Sequence, residues 1–158
     1  MRQAKAQRED LRLDAERRLQ YKGTACIGLE FLNFQQCEPD RENVEYLKGC
    51  FRKEGCHQVE ARNHIPALID QQSLDDALQA AEISASQLRY PSDGYPELGF
   101  PDGYQLECLH GKDRIQAARE FLSPRNKWWA VDLYLKGMIN ISSKDALTSA
   151  FYQTSTQI

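Results

Sequence analysis

The stretch LECLHGKDRIQAAREFL, residues 106 to 122, constrains the fold more than any other part of the chain. An apolar, strand-like run stops at His110-Gly111, exposes Lys112, Asp113 and Arg114, and passes without a spacer into an amphipathic segment. Ile115, Ala118, Phe121 and Leu122 recur at helical spacing and supply a buried face, while the small Ala117 and Ala118 permit close packing. The spacing therefore predicts a strand over YQLECL, residues 104–109, and a helix from Gly111 to Leu122 ended by Ser123-Pro124. A helix start of this kind presents unpaired N–H groups and the positive end of the helix dipole, which suits an anion. Lys112 adds charge, Arg114 adds a planar fork that matches two phosphate oxygens, and His110 offers one more donor.

The rest of the chain repeats the alternation of strand and helix. TACIGLEFLNF, residues 24–34, reads as a first strand in which Ile27, Leu29 and Phe31 lie on one side and Leu32 and Phe34 shift phase. A helix follows, started by Pro39 and Asp40, with Val44, Leu47 and Phe51 on one face and Gly55 as its stop. HIPALID, residues 64–70, suits a second strand, and SLDDALQAA a helix whose Ser73 and Asp76 have capping-box spacing. Asp75 and Asp76 read as first-turn acids that favour the dipole, and Leu74, Ala77, Leu78 and Ala81 as its core face. Residues 89–103, rich in proline and glycine, read as a loop whose tyrosines stand as candidates for a lid over Gly111. WWAVDLYL, residues 128–135, is a strong final strand with one tryptophan buried and its neighbour turned outward. Strands alternating with helices over short links predict an α+β, α/β-like domain: a small mixed sheet with packed helices.

The expected boundaries are a charged N-terminal helix over residues 1–22, the sheet domain over 23–136 and a weakly patterned tail over 137–158. The first of these carries seven Lys/Arg against four Asp/Glu, a balance of +3, which leaves −6 for the remainder of a chain whose formal charge is −3. That balance argues against a whole domain coated in nucleic acid, and leaves the basic helix as the candidate DNA contact. Five cysteines, Cys26, Cys37, Cys50, Cys56 and Cys108, form no disulfide framework. They point to reduced thiols in cytosol or nucleus. No run approaches the roughly 18 apolar residues of a membrane span, so a membrane is not an expected partner. Cys50, Cys56, His57 and His64 match no common zinc spacing and read as core thiols and surface histidines.

YQLECLHGKDRIQAAREFL followed by KWWAVDLYL resembles the nucleotide-binding box of the ParB/sulfiredoxin superfamily, in which a strand delivers a glycine-led turn, a helix opening with paired alanines, and a further strand. Gly111, Arg114, Ala117 and Ala118 carry that match, and Pro39, Arg41, Leu47 and Gly55 occupy comparable places in the superfamily's first box. The wording of both segments is closer still to an uncharacterised fungal domain family met as cargo of the giant Starship mobile elements, with this chain a shortened member whose sequence departs after Lys136. The resemblance implies a nucleotide triphosphate with magnesium at Gly111, with His110, Lys112 and Arg114 on the phosphates. It implies nucleotide hydrolysis or phosphoryl transfer if the domain is an enzyme, with Glu30 or Asp40 as metal-holding acids. Lys112 stands where sulfiredoxin has its reactive cysteine, so thiol reductase chemistry is not expected. Asp113 stands where relatives have Arg or His on the phosphate, and repels an anion unless Lys112 or a metal offsets it. The alternative expectation is a catalytically inactive remnant, or a DNA-associated or protein-interaction module.

Overall fold

The computed structural model describes residues 20–35 and 38–136; of the helix expected over residues 1–22 only the last three positions are described, and there Tyr21 and Lys22 already belong to a strand, while Cys37 and residues 137–158 lie outside the described residues. Six strands form one mixed sheet: β1 (Tyr21–Gly28), β2 (Leu32–Phe34), β3 (Ile65–Ile69), β4 (Glu97–Leu98), β5 (Leu106–Cys108) and β6 (Trp128–Leu135). Their order across the sheet is β2-β5-β3-β6-β1-β4. Four helices are described, α1 (Arg41–Glu54), α2 (Gln71–Ala81), α3 (Ala85–Arg89) and α4 (Lys112–Phe121). This is the small α+β domain with a mixed sheet that the alternation predicts.

The central strand is β6, parallel to β3 and antiparallel to β1. Its apolar run follows from that place, because a strand paired on both sides must bury its backbone and most of its side chains. Alternation then divides the sheet. Trp129, Val131 and Leu133 join Ala25, Ile27, Ile65, Ala67, Ile69, Leu106 and Cys108 in one apolar cluster, together with residues of all four helices. Asp132 turns to the opposite face, where it meets Thr24 and His64. Phe51 of α1 lies 6.0 Å from the Trp129 ring and 5.8 Å from Phe121, and so ties β6 to α1 and α4. Trp129 is fully buried and its indole N–H reaches the Asn63 carbonyl at 2.8 Å, the partner a buried tryptophan requires. Trp128 is half-buried, as strand alternation predicts.

The helix α1 has the expected ends. The Asp40 carboxylate accepts from the backbone N–H groups of Glu42 and Asn43 at 3.1 and 3.4 Å, and Gly55 closes the helix at a positive φ of 87°. Four expectations need correction. Residues 24–34 are not one strand: β1 ends at Gly28, a 3-10 turn covers Leu29–Phe31, and β2 then leaves to pair with β5 at the far edge. The phase shift from Leu29 to Leu32 marks that departure, and the Arg119 guanidinium holds it by donating to the carbonyls of Leu29 and Leu32 at 3.2 and 2.6 Å. Secondly, α2 is capped by Asp70, which accepts from the Ser73 N–H at 2.9 Å, so Ser73 and Asp76 form no capping box. Asp75 and Asp76 instead accept from the Gln71 and Gln72 amides one turn back, at 2.8 and 2.9 Å. Thirdly, residues 89–103 are not all loop, because α3 runs to Arg89 and Glu97–Leu98 adds β4 beside β1. Lastly, Phe121 is 37% exposed, and the buried face of α4 is Ile115, Ala117 and Ala118.

Candidate functional site

The β5 to α4 junction is built by packing before any ligand is considered. Gly111 is the N-cap of α4, with φ 98° and ψ 20°, a left-handed conformation that disfavours any side chain. A Cβ there would also overlap the Cδ1 of Ile65, the tip of a buried side chain on β3, which adds to the preference for glycine at this position. With glycine as N-cap, α4 begins without a side-chain cap, and its first internal bond is from the Ile115 N–H to the Gly111 carbonyl at 3.0 Å. The amides of Lys112, Asp113 and Arg114 precede that bond and have no helical acceptor four residues back.

These residues line a cavity of about 500 Å³ together with His110, and its walls include Phe34, Leu47 and Leu109. The structure thus brings His110, Gly111, Lys112 and Arg114 to one concave surface. Their partners differ from the sequence expectation. The Lys112 ammonium donates to the Glu38 carbonyl at 3.1 Å, and Arg114 Nη1 donates to Asn63 Oδ1. Burial, and then the charge of Arg62, hold the Arg114 pKa below the ordinary guanidinium value. Burial also lowers His110, aided by Arg114 and opposed by Asp113.

Asp113 was expected to intrude on an anion, and its carboxylate is already engaged. Oδ1 accepts the backbone N–H of Asp40 at 3.0 Å and Oδ2 accepts the Asn43 side-chain amide at 3.0 Å. One acid in the first turn of α4 therefore serves the N-terminus of α1, and the positive ends of two helices meet at this cavity. The same pair of helices is clamped further along by Arg41, which reaches Glu120 Oε2 at 2.7 Å.

Neither acid named for magnesium, Glu30 or Asp40, lines this cavity. Asp40 Oδ1 accepts the α1 cap hydrogen bonds, and Glu30 lies in the 3-10 turn beside an adjoining cavity that shares Phe34 and Lys112 with this one and that Arg119 also lines. Among the described residues no group of three or more His, Cys, Asp or Glu side chains could hold a metal ion. Cys108 lines the cavity as a thiol, since burial raises its pKa to about 12. The tyrosines of residues 89–104 do not form a lid. None of them lines this cavity: Tyr90 is 75% exposed, Tyr95 meets His64 edge-on at 5.1 Å, and Tyr104 stacks on Phe100.

A second polar cluster resembles a catalytic dyad but has no group to spare. His64 Nδ1 lies 2.9 Å from Asp132 Oδ1, and Nε2 lies 2.9 Å from the Val59 carbonyl. A carbonyl only accepts, so Nε2 carries a proton, and the carboxylate favours a second proton on Nδ1. Burial opposes that charge, yet Asp132 and the Val59 carbonyl outweigh it and raise the His64 pKa above the ordinary histidine value. Thr24 shares Asp132 Oδ1 at 2.6 Å and also contacts Tyr21. The cluster fastens the start of β3 to β6 and β1.

Sequence reasoning missed Asn63 and Asn43. Asn63 is buried and anchors Arg114, His57 and Trp129 at once, and Asn43 holds Asp113. Their contacts with Arg114, Trp129 and Asp113 span 51 to 70 residues, with no local pattern to announce them.

Fold and site together define a single-sheet α+β domain with a glycine-led helix start facing a cavity. The chain belongs to the family described as the N-terminal domain of a protein of unknown function, DUF3723, matched over residues 20–153. The match runs on past Lys136, where the family pattern was expected to end. No curated protein and no solved structure matches the chain. No helix among the described residues is long and apolar enough to cross a membrane.

Proposed function

We propose that the cavity at Gly111 binds the phosphate of a nucleotide, the reading suggested by the ParB/sulfiredoxin resemblance within a family that carries no assigned activity. One observation supports it most. Of the four described helices, α1, α2 and α3 have a side-chain N-cap, whereas α4 has none and opens on a cavity of about 500 Å³. The amides of Lys112, Asp113 and Arg114 offer three donors to phosphate oxygens, and Lys112 can swing from the Glu38 carbonyl to a stronger, charged acceptor. Arg114 contributes from a guanidinium that Asn63 holds in place. Two donors from α1 turn the Asp113 carboxylate toward that helix, and its remaining negative charge weakens phosphate binding without blocking it. Phe34 and Leu47 give an apolar wall for the sugar or base. These groups account for binding, and Cys108 in the cavity wall is kept as a thiol by burial.

The test is a titration of the purified chain with ATP and CTP, with and without magnesium, on wild type and on Lys112→Ala and Arg114→Ala. Saturable binding is expected, weakened about tenfold or more by either substitution, since charge-assisted hydrogen bonds contribute on the order of 1.5–3 kcal/mol. Circular dichroism of Arg114→Ala distinguishes loss of the site from loss of the Asn63 anchor. Absence of binding to either nucleotide by folded wild type overturns the proposal. It would leave the second reading, an inactive interaction module, which one observation favours: Gly111 is already explained by its φ and by Ile65.

A further inference from the structure

A second cavity, of about 530 Å³, lies between α2 and the turn that joins β4 to β5. It shares no lining residue with the Gly111 cavity, and its character is the reverse. Ala77, Ala80 and Ala81 give it a smooth apolar floor along one side of α2. The Phe100 ring forms a wall, fixed by stacking on Tyr104 at 4.8 Å with 17° between the planes, and by an edge contact with Phe31 at 5.5 Å. Two carboxylates, Asp76 and Glu97, stand at the edge, and no lysine, arginine or histidine lines it. The Gln72 amide donates to Asp76 Oδ1 at 2.9 Å and so orients that carboxylate.

A concave, mostly apolar space of this volume is of the size that encloses small molecules. The floor rewards burial of an apolar body, the aromatic wall attracts positive charge, and the two acids have no basic partner within the cavity. An anion would be repelled on every polar side except the hydroxyls of Ser73 and Tyr104. We propose that this cavity binds a small organic cation, an ammonium or guanidinium group on an apolar body. The charge sits at the Asp76 and Glu97 carboxylates and the body rests on the alanine floor and the Phe100 ring. The inference is independent of the nucleotide reading, because it uses other residues and a ligand of opposite charge.

Gly99 supplies a clean test. It is in no positive-φ conformation, and a Cβ built there meets nothing within 4 Å, so a side chain can start at this lining position without a clash at Cβ, and Gly99→Phe adds bulk at the cavity. The probes are 2-phenylethylammonium, its neutral counterpart 2-phenylethanol and the anion 3-phenylpropionate, titrated into the full chain and followed by alanine methyl shifts in NMR spectra. The ammonium is expected to bind saturably, with shifts at Ala77, Ala80 and Ala81, and about tenfold more tightly than the alcohol. Asp76→Asn combined with Glu97→Gln should remove that preference while leaving the fold intact, and Gly99→Phe should abolish binding. Equal affinity for ammonium and alcohol, no saturable shift with the ammonium, or undiminished binding to folded Gly99→Phe would each overturn the proposal.

Discussion

The junctions β3 to α2 and β5 to α4 both turn a short strand into a helix, and they finish the helix in opposite ways. At the first, Asp70 caps α2, accepting from the Ser73 N–H and, at 3.4 Å, from the Tyr104 hydroxyl. Those donors hold the Asp70 carboxyl below the usual aspartate range, the Ser73 backbone N–H foremost. At the second, Gly111 offers no side chain, the first-turn amides face a cavity, and the nearest acid, Asp113, is lent to α1. A helix start that is only scaffold is closed by a carboxylate belonging to its own chain direction. One left open keeps its donors for something else, and the close approach of Ile65 shows that openness here is built into the sheet packing.

The sharpest way to break the contrast is Gly111→Ala. The φ of 98° and the overlap with Ile65 Cδ1 should together cost about 2–4 kcal/mol in urea unfolding. Ile65→Ala in the same chain should recover part of that loss, and a strictly additive double mutant would show that the clash is not the cause. Asp70→Ala should cost about 1 kcal/mol, a cap's worth, with no effect on nucleotide titrations. Asp113→Asn is expected to have two effects of opposite sign. It loses about 0.5–1 kcal/mol of stability as the bond to Asn43 is disrupted, yet strengthens phosphate binding several-fold once the carboxylate charge is gone. Unchanged affinity with lower stability would confine Asp113 to its role at α1.

The smallest expected effect is a pH dependence. His64 follows Asn63, the anchor of Arg114, and its pKa is raised in the folded state. A raised pKa means that its contribution is complete below the ordinary histidine value of about 6.5 and fades as pH rises through the folded value. Hydrogen exchange in the first turn of α4 should therefore quicken above that pH relative to the first turn of α2. Asp132→Asn should flatten the response, and a persistent slope in that variant would point to another titrating group.

What the sequence made legible divides along the range of the forces involved. The α4 junction, the span of α1 with Asp40 and Gly55 at its ends, and the buried face of β6 follow from local spacing, and all three are found. The same local reading could not see that Leu29–Phe31 breaks one strand into two, because the reason is Arg119, about 90 residues away. Nor could it see β4, two residues in a proline-rich stretch that become a strand only because β1 has a free side. At the site it gathered His110, Gly111, Lys112 and Arg114 by adjacency alone. The true neighbours of Asp113 and Arg114, namely Asp40, Asn43 and Asn63, needed the fold.

The sheet closes at both margins with very little strand: β2 has three residues and β4 has two. Short edge strands of this kind offer few backbone donors and acceptors of their own to a strand from another molecule, although β4 pairs with β1 only at Cys26 and Ile27. Brevity at the borders is one device by which a sheet whose interior is rich in leucine and isoleucine limits edge-to-edge pairing.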